Sequence, residues 1–150
     1  EYPNVQDGIE EVIVNSFDVL KISGSALEAQ RRRMNVIASN LANANSTRTE
    51  EGGPYKRQDV VFTPPSVGSD PVGLKGVKVA DVVPDGKPPK RVYDPGHPDA
   101  DKEGFVAMPN INPVEEMVNM MMAFRAYEAS VATFNTAKSM MLKTLELGRV

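Results

Sequence analysis

Residues 112–148 read NPVEEMVNMMMAFRAYEASVATFNTAKSMMLKTLELG, and this stretch decides the fold. Asn112 is a good helix N-cap, because its side-chain oxygen can accept an N–H that the first turn leaves free. Pro113 suits the first helical position, where its missing N–H costs nothing, and Glu115 follows three residues after the cap. Gly148 reads as the closing cap. No proline interrupts residues 114–147, so the spacing predicts one long helix there. One apolar seam runs through Met117, Met120, Phe124, Tyr127, Val131, Phe134, Met141 and Leu145, with Lys138 as its polar break. A second set, Val114, Val118, Met121, Met122, Ala129, Ala132 and Leu142, lies off that seam. A single partner helix covers one seam, so two apolar faces predict neighbours on two sides.

Working outward, proline divides the chain. Of its 12 prolines all but Pro3 fall from Pro54 to Pro113. A first helix is expected over residues 16–45, capped by Asn15 or Ser16, with Asp18 favoured by the helix dipole. Leu20, Leu27, Met34 and Leu41 recur every seven residues, flanked by Ile37, Ala38 and Ala44, a coiled-coil-like stripe. Gly24, inside the Ser23-Gly24-Ser25-Ala26 patch, costs about 1 kcal/mol relative to Ala, and close approach of a neighbouring helix is the expected compensation. Residues 46–112 read as short strands, at 55–62, 77–83, 91–93 and 105–107, between Gly/Pro turns. The chain is thus expected to be mainly α with a small β subdomain. It divides into a helical domain (15–45 plus 113–150), a Pro/Gly-rich β or irregular middle (46–112), and an N-terminal extension (1–14) of unknown role.

Helix length bears on function. At 1.5 Å per residue the two helices would be about 45 and 50 Å long, whereas a compact chain of this size is roughly 40 Å across. Long apolar stripes that overhang a globule need other subunits to bury them, which points to an assembly component.

Composition removes other classes. The 150 residues carry 17 Lys+Arg against 20 Asp+Glu, a net charge of −3 that offers nucleic acid no general attraction. With no Cys, disulfide scaffolds, thiol nucleophiles and Cys-ligated metals are out. The basic run Arg31-Arg32-Arg33 points around more than half a helix and reads as a solvated or intersubunit face, pairing with acids. No stretch approaches the ~20 apolar residues that span a bilayer. Residues 1–15 hold Glu1, Asp7, Glu10 and Glu11 and no base, the wrong sign for a secretory leader, so export by another route is expected. Phosphate loops, nucleophile elbows and zinc spacings are absent, and no cofactor is called for.

Two strings invite chemistry. Asp94-Pro95-Gly96-His97-Pro98-Asp99-Ala100-Asp101 gathers three carboxylates and the sole His, so Asp94, His97, Asp99 and Asp101 form a candidate metal-binding module. The competing reading is a Pro/Gly turn decorated with Asp. The methionines Met117, Met120, Met121, Met122, Met140 and Met141 could offer thioethers to soft copper. Their spacing instead fits helix packing, where flexible Met adapts to several neighbours.

Residues 35–49, NVIASNLANANSTRT, resemble the N-terminal signature of the bacterial flagellar rod and hook group. The following EGGPYKRQDVVF, the later VYDPGHPDAD and GFVAMPNIN, and the C-terminal helix extend the resemblance from about residue 15 to the end. It is closest to the proximal branch of the flagellar basal-body rod family. Residues 1–14 have no counterpart in it. The resemblance implies terminal helices paired as a coiled coil and copies stacked into a tubular, torque-transmitting shaft across the periplasm. Partners would be copies of itself, other proximal and distal rod subunits, the protein joining the rod to the export gate and MS ring, and the export apparatus. Neither nucleic acid nor a small-molecule substrate is implied, and export would proceed through the flagellar type III gate without a cleavable signal. Carried over by position, the assembly interface comprises Leu20, Leu27, Met34 and Leu41, the amides Asn40, Asn43 and Asn45, and, on the second helix, Met117, Met121, Phe124, Tyr127, Val131, Phe134, Met141 and Leu145. The amides are expected either to bond neighbouring backbone where the helix ends or simply to cap it. A secreted adaptor that binds partner helices without polymerising is the remaining alternative.

Overall fold

The computed structural model describes residues 5–64 and 76–147, with side chains from residue 17 onward. Element order is α1 (Val5–Ala42), β1 (Gln58–Thr63), β2 (Lys78–Pro84), β3 (Lys90–Tyr93), β4 (Phe105–Met108) and α2 (Pro113–Leu147). The helix–strands–helix plan and all four strands follow the proline map.

α1 begins well before the expected start, so Asn15 and Ser16 lie inside it and not at its N-terminus. Nothing between Pro3 and residue 16 forbids helix, and extending a formed helix adds one bond for each residue fixed. Its last turn tightens at Ala42, three residues short of expectation. Asn43 N donates to Ser39 O at 3.1 Å, and Ala44 N reaches only as far back as Leu41 O, at 3.3 Å. Ser23, Ala29, Ile37 and Asn40 are buried on α1, and Leu20, Leu27, Met34 and Leu41 flank them half-buried. Among the described residues, a Cβ built on Gly24 meets nothing within 4 Å apart from its own stretch of helix, so the close neighbour expected there is not among them.

α2 starts as its sequence demands. Val114 N donates to Asn112 Oδ1 at 3.1 Å, and Glu116 N donates to Asn112 O at 3.0 Å. Its shielded line differs from the expected seam. Most of the buried or half-buried positions step alternately by four and three through Glu116, Met120, Ala123, Tyr127, Ser130, Phe134, Ala137, Met141 and Thr144, with Asn119, Ala126 and Val131 half-buried beside that line. That is heptad spacing, but small side chains occupy alternate places. Met117, Phe124 and Leu145, expected on the seam, are exposed. Ala137 fills the place where Lys138 was read as a break, and Lys138 itself is exposed. Gly148 lies outside the described residues.

By internal contacts the chain divides into two compact units. One comprises Glu1–Arg31, Phe62–Lys78 and Arg125–Val150; the other comprises Arg32–Val61 and Val79–Phe124. Within the first, Ser25 Oγ donates to Ile22 O at 2.7 Å and accepts from Val77 N at 3.0 Å. Gly76 sits so close that a Cβ there would collide with that hydroxyl. Within the second, Ile37, Val106, Ile111 and Ala123 form the apolar core.

The strands make two sheets of two, β1–β2 and β3–β4. β3 and β4 run antiparallel with Lys90 opposite Met108 and Tyr93 opposite Phe105. Val106 faces the core, while every residue of β3 is exposed. Tyr93 meets Phe105 edge to face with ring centres 5.3 Å apart, and the Arg91 guanidinium sits 4.6 Å over the Phe105 ring. Asp101 organises the return into β4. Its Oδ1 accepts from Glu103 N and Phe105 N, both at 2.9 Å, and its Oδ2 accepts from Arg91 Nη2 at 2.9 Å. Gly104, at φ +84°, turns the chain where an L side chain is strained.

Candidate functional site

The most organised chemistry lies in the second unit, where the end of α1, the start of β1 and the first turn of α2 meet. Asn40 is fully buried and Glu116 is 1 % exposed. The Asn40 amide is satisfied on every side. Nδ2 donates to Gln58 O at 2.8 Å and to Glu116 Oε2 at 3.2 Å. Oδ1 accepts from Gln58 N at 2.9 Å and from Tyr55 Oη at 3.2 Å. Two donors and two acceptors exhaust a primary amide. Toward Gln58 the side chain acts as a strand would, pairing with both backbone groups of one residue as β1 begins.

Glu116 completes the cluster. Its Oε1 accepts from Arg57 Nε at 2.8 Å, and Arg57 Nη1 lies 3.5 Å from Asp59 Oδ2. Burial works against the Arg57 charge, but the hydrogen bond and charge of Glu116, with Asp59 adding to them, outweigh it and raise its pKa. Burial, and then the Glu116 charge, pushes the Tyr55 hydroxyl up as well, so it stays protonated and able to donate. A buried ion pair of this kind contributes little net stability against an apolar replacement, yet removing one partner is expensive. It selects a geometry more than it deepens a well.

The three amides of the Asn-rich string therefore divide. Asn40 bonds neighbouring backbone. Asn43 caps its own helix, its Nδ2 donating to Ser39 O at 2.9 Å and its Oδ1 accepting from Ser46 Oγ at 3.1 Å. Asn45 is exposed. Sequence reasoning missed Glu116, Arg57 and Tyr55. An acid in a first turn reads as a dipole partner in solvent, and only the adjacent Asn112-Pro113 cap, which fixes the rotation of that turn, carried a hint.

The other expected residues fall into two groups. Leu20, Leu27, Met34, Leu41, Tyr127, Val131, Phe134 and Met141 are half-buried. Met117, Met121, Phe124 and Leu145 are exposed. In the first part of α2, Val114, Met117, Val118, Met121, Met122 and Phe124 are each 51–68 % exposed, a dense apolar surface in water. Arg31 and Arg32 are exposed and Arg33 is half-buried, and none of the ion pairs among the described residues involves them.

The Asp/His string is a set of turns. Asp94 Oδ1 accepts from Gly96 N, His97 Nδ1 from Asp99 N, and Asp99 Oδ2 from Thr47 Oγ1 at 2.8 Å. Asp101 holds the β4 return described above, with Phe105 N–H the first cause of its lowered pKa. Among the described residues no group of three His, Asp or Glu is placed to hold a metal ion. An open groove of about 380 Å³ beside Tyr55 is walled by Pro54, Pro84, Pro88 and Pro89, with Lys56 and Lys87 at its edge. It presents prolines and lysines, not a converging nucleophile and base.

Long helices that meet at a closed polar cluster and carry exposed apolar side chains define a mainly helical protein with uncovered helix surface. Two family models match the chain: flagella basal body rod protein at residues 20–48, and the C-terminal region of flagellar basal body rod FlgEFG proteins at residues 102–147. Flagellar basal-body rod protein FlgC of Escherichia coli O6:H1 is 53 % identical over 137 residues, covering 91 % of this chain and 98 % of the relative. The Salmonella typhimurium protein of the same name is 51 % identical with the same coverage. That of Borreliella burgdorferi is 41 % identical, covering 87 % of this chain and 96 % of the relative. The chain belongs to the family of flagellar basal-body rod proteins and is FlgC-like within it.

Proposed function

We propose that the chain is a structural subunit of the flagellar basal-body rod that meets its neighbours through the exposed apolar surface of α2 and the half-buried stripe of α1. Family membership supports the rod. The single observation that supports this mode of contact is the surface around Met121, too apolar and too continuous to be a scattered accident of a soluble face. Burying a Leu- or Met-sized side chain contributes roughly 1.5–3 kcal/mol, so a few such contacts per subunit, repeated along a shaft, resist torsion: twisting would expose apolar surface at every step.

On this reading α1 and α2 pair along the heptad line of α2, and the subunit sits in the proximal rod. Its neighbours are copies of itself, other rod subunits and the junction with the MS ring and export gate. It reaches that place through the flagellar export apparatus. The metal-module alternative draws no support from the Asp/His turns, and the adaptor alternative none from the family.

The chain has no cysteine, so Met121→Cys places a unique thiol on this surface. In basal bodies carrying the variant, a short thiol-to-amine crosslinker is expected to join the chain covalently to a neighbouring rod subunit. Crosslinks confined to the chain itself would overturn this mode of assembly.

A further inference from the structure

Methionine supplies half of the exposed apolar side chains on this α2 surface. Met117, Met121 and Met122 are each more than half exposed within two turns of helix, whereas Met120, beside them in sequence, sits half-buried on the heptad line with Tyr127 and Phe134. A thioether in water is an accessible nucleophile, and its oxidation product is polar and no longer suited to an apolar contact. We propose that Met117, Met121 and Met122 form an oxidation site on the unassembled subunit, and that their conversion to sulfoxides blocks its incorporation into the rod.

The chemistry needs only a peroxide. The sulfur lone pair attacks one peroxide oxygen, the S–O bond forms and the O–O bond breaks. The departing hydroxide takes up the proton left on the transferred oxygen and leaves as water, giving the neutral sulfoxide. Sulfur loses two electrons and the peroxide gains them. Two-electron reduction of the sulfoxides by a dithiol-dependent methionine sulfoxide reductase, the oxygen leaving as water, restores the thioethers, so the block is reversible. Three sulfoxides set among Val114, Val118 and Phe124 put a strong dipole at each point where the surface needs apolar contact. The site follows from exposure alone; its effect on incorporation rests on the assembly reading above.

The test has separate arms. The purified chain is treated with dilute hydrogen peroxide and its methionines are mapped by fragment-ion mass spectrometry. Met117, Met121, Met122 and the equally exposed Met140 are expected to gain oxygen first, with Met120, Met34, Met108 and Met141 lagging. Met120 oxidising as fast as Met121 would overturn the site. Treated and untreated chain are then compared for co-sedimentation with the other rod subunits. Untreated chain that co-sediments and oxidised chain that does not is the expected pair; oxidised chain that still co-sediments would overturn the block. The triple variant Met117→Leu, Met121→Leu, Met122→Leu keeps the apolar volume and is expected to co-sediment before and after peroxide. Loss after peroxide in that variant would place the sensitive group elsewhere and overturn the proposal. Intact basal bodies given the same treatment are expected to protect these sulfurs. Equal oxidation there would overturn the covered α2 surface and hence the block, leaving the mapped site on the free chain to be judged by the first arm.

Discussion

Asn40 and Glu116 stand 76 positions apart in the chain and meet side chain to side chain at 3.2 Å, both shut away from water. One belongs to the last turns of α1, the other to the first turn of α2. The contact ties the two terminal helices together through the start of β1, and it does so with polar groups whose bonding leaves no slack.

That closure makes Asn40 costly to change. Asn40→Ala removes both partners of the Gln58 backbone and one of Glu116, leaving buried groups unpaired at roughly 1–3 kcal/mol each. Urea unfolding is expected to show a loss of about 3 kcal/mol or more. Asn45→Ala, an exposed amide of the same motif, is expected to stay within about 0.5 kcal/mol of the parent.

Glu116 cannot be replaced by its amide. Both of its oxygens accept, one from Arg57 Nε and one from Asn40 Nδ2. Glu116→Gln must turn an NH2 toward one of those donors whichever way the amide flips. The variant is expected to lose about 3 kcal/mol on thermal or urea unfolding, in the range seen when a buried charge pair is broken.

These two residues show what a sequence does and does not carry. Proline marks where helix is forbidden, so the helix–strands–helix plan and the Asn112-Pro113 start were legible one residue at a time. The burial of Glu116 was not, because it follows from where β1 places Arg57, a long-range relation. Part of the shielded line of α2 was misread for a related reason. Size drew the seam through Met117 and Phe124, while the line that is covered runs through Ala123, Ser130, Ala137 and Thr144. Met120, Tyr127, Phe134 and Met141 lie on both lines; the small residues between them mark close packing, and Met117 and Phe124 stay outside, where a partner is needed. The start of α1 was misread because local capping signals at Asn15-Ser16 do not stop a helix that nothing blocks.

Acid should loosen the β3–β4 turn. The Asp101 carboxylate is held below its ordinary 3.8 first by Phe105 N–H and further by Glu103 N–H and Arg91, with slight burial opposing them. A lowered folded pKa means that the contribution is complete above the unfolded value and fades as pH falls through the folded one. The Glu103 and Phe105 amides are therefore expected to lose hydrogen-exchange protection below pH 3.8 and not between neutrality and pH 5.

Two glycines should respond in opposite directions. At Gly104, with φ +84°, a Cβ would lie 2.9 Å from the Tyr93 ring and 3.2 Å from Pro95. Gly104→Ala is expected to cost roughly 1–3 kcal/mol. At Gly24, inside α1 with none of the described residues beyond its own stretch of helix within 4 Å of the added methyl, Gly24→Ala is expected to stabilise the isolated chain by about 1 kcal/mol. Thermal unfolding of the two variants beside the parent checks both signs.

The central claim is that the apolar surface of α2 exists for other subunits and not for the chain's own fold. Phe124, 52 % exposed, separates the two. Purified Phe124→Asp is expected to unfold within about 0.5 kcal/mol of the parent, and cells carrying it are expected to lack rods by electron microscopy of their basal bodies. Complete rods in those cells would contradict the account.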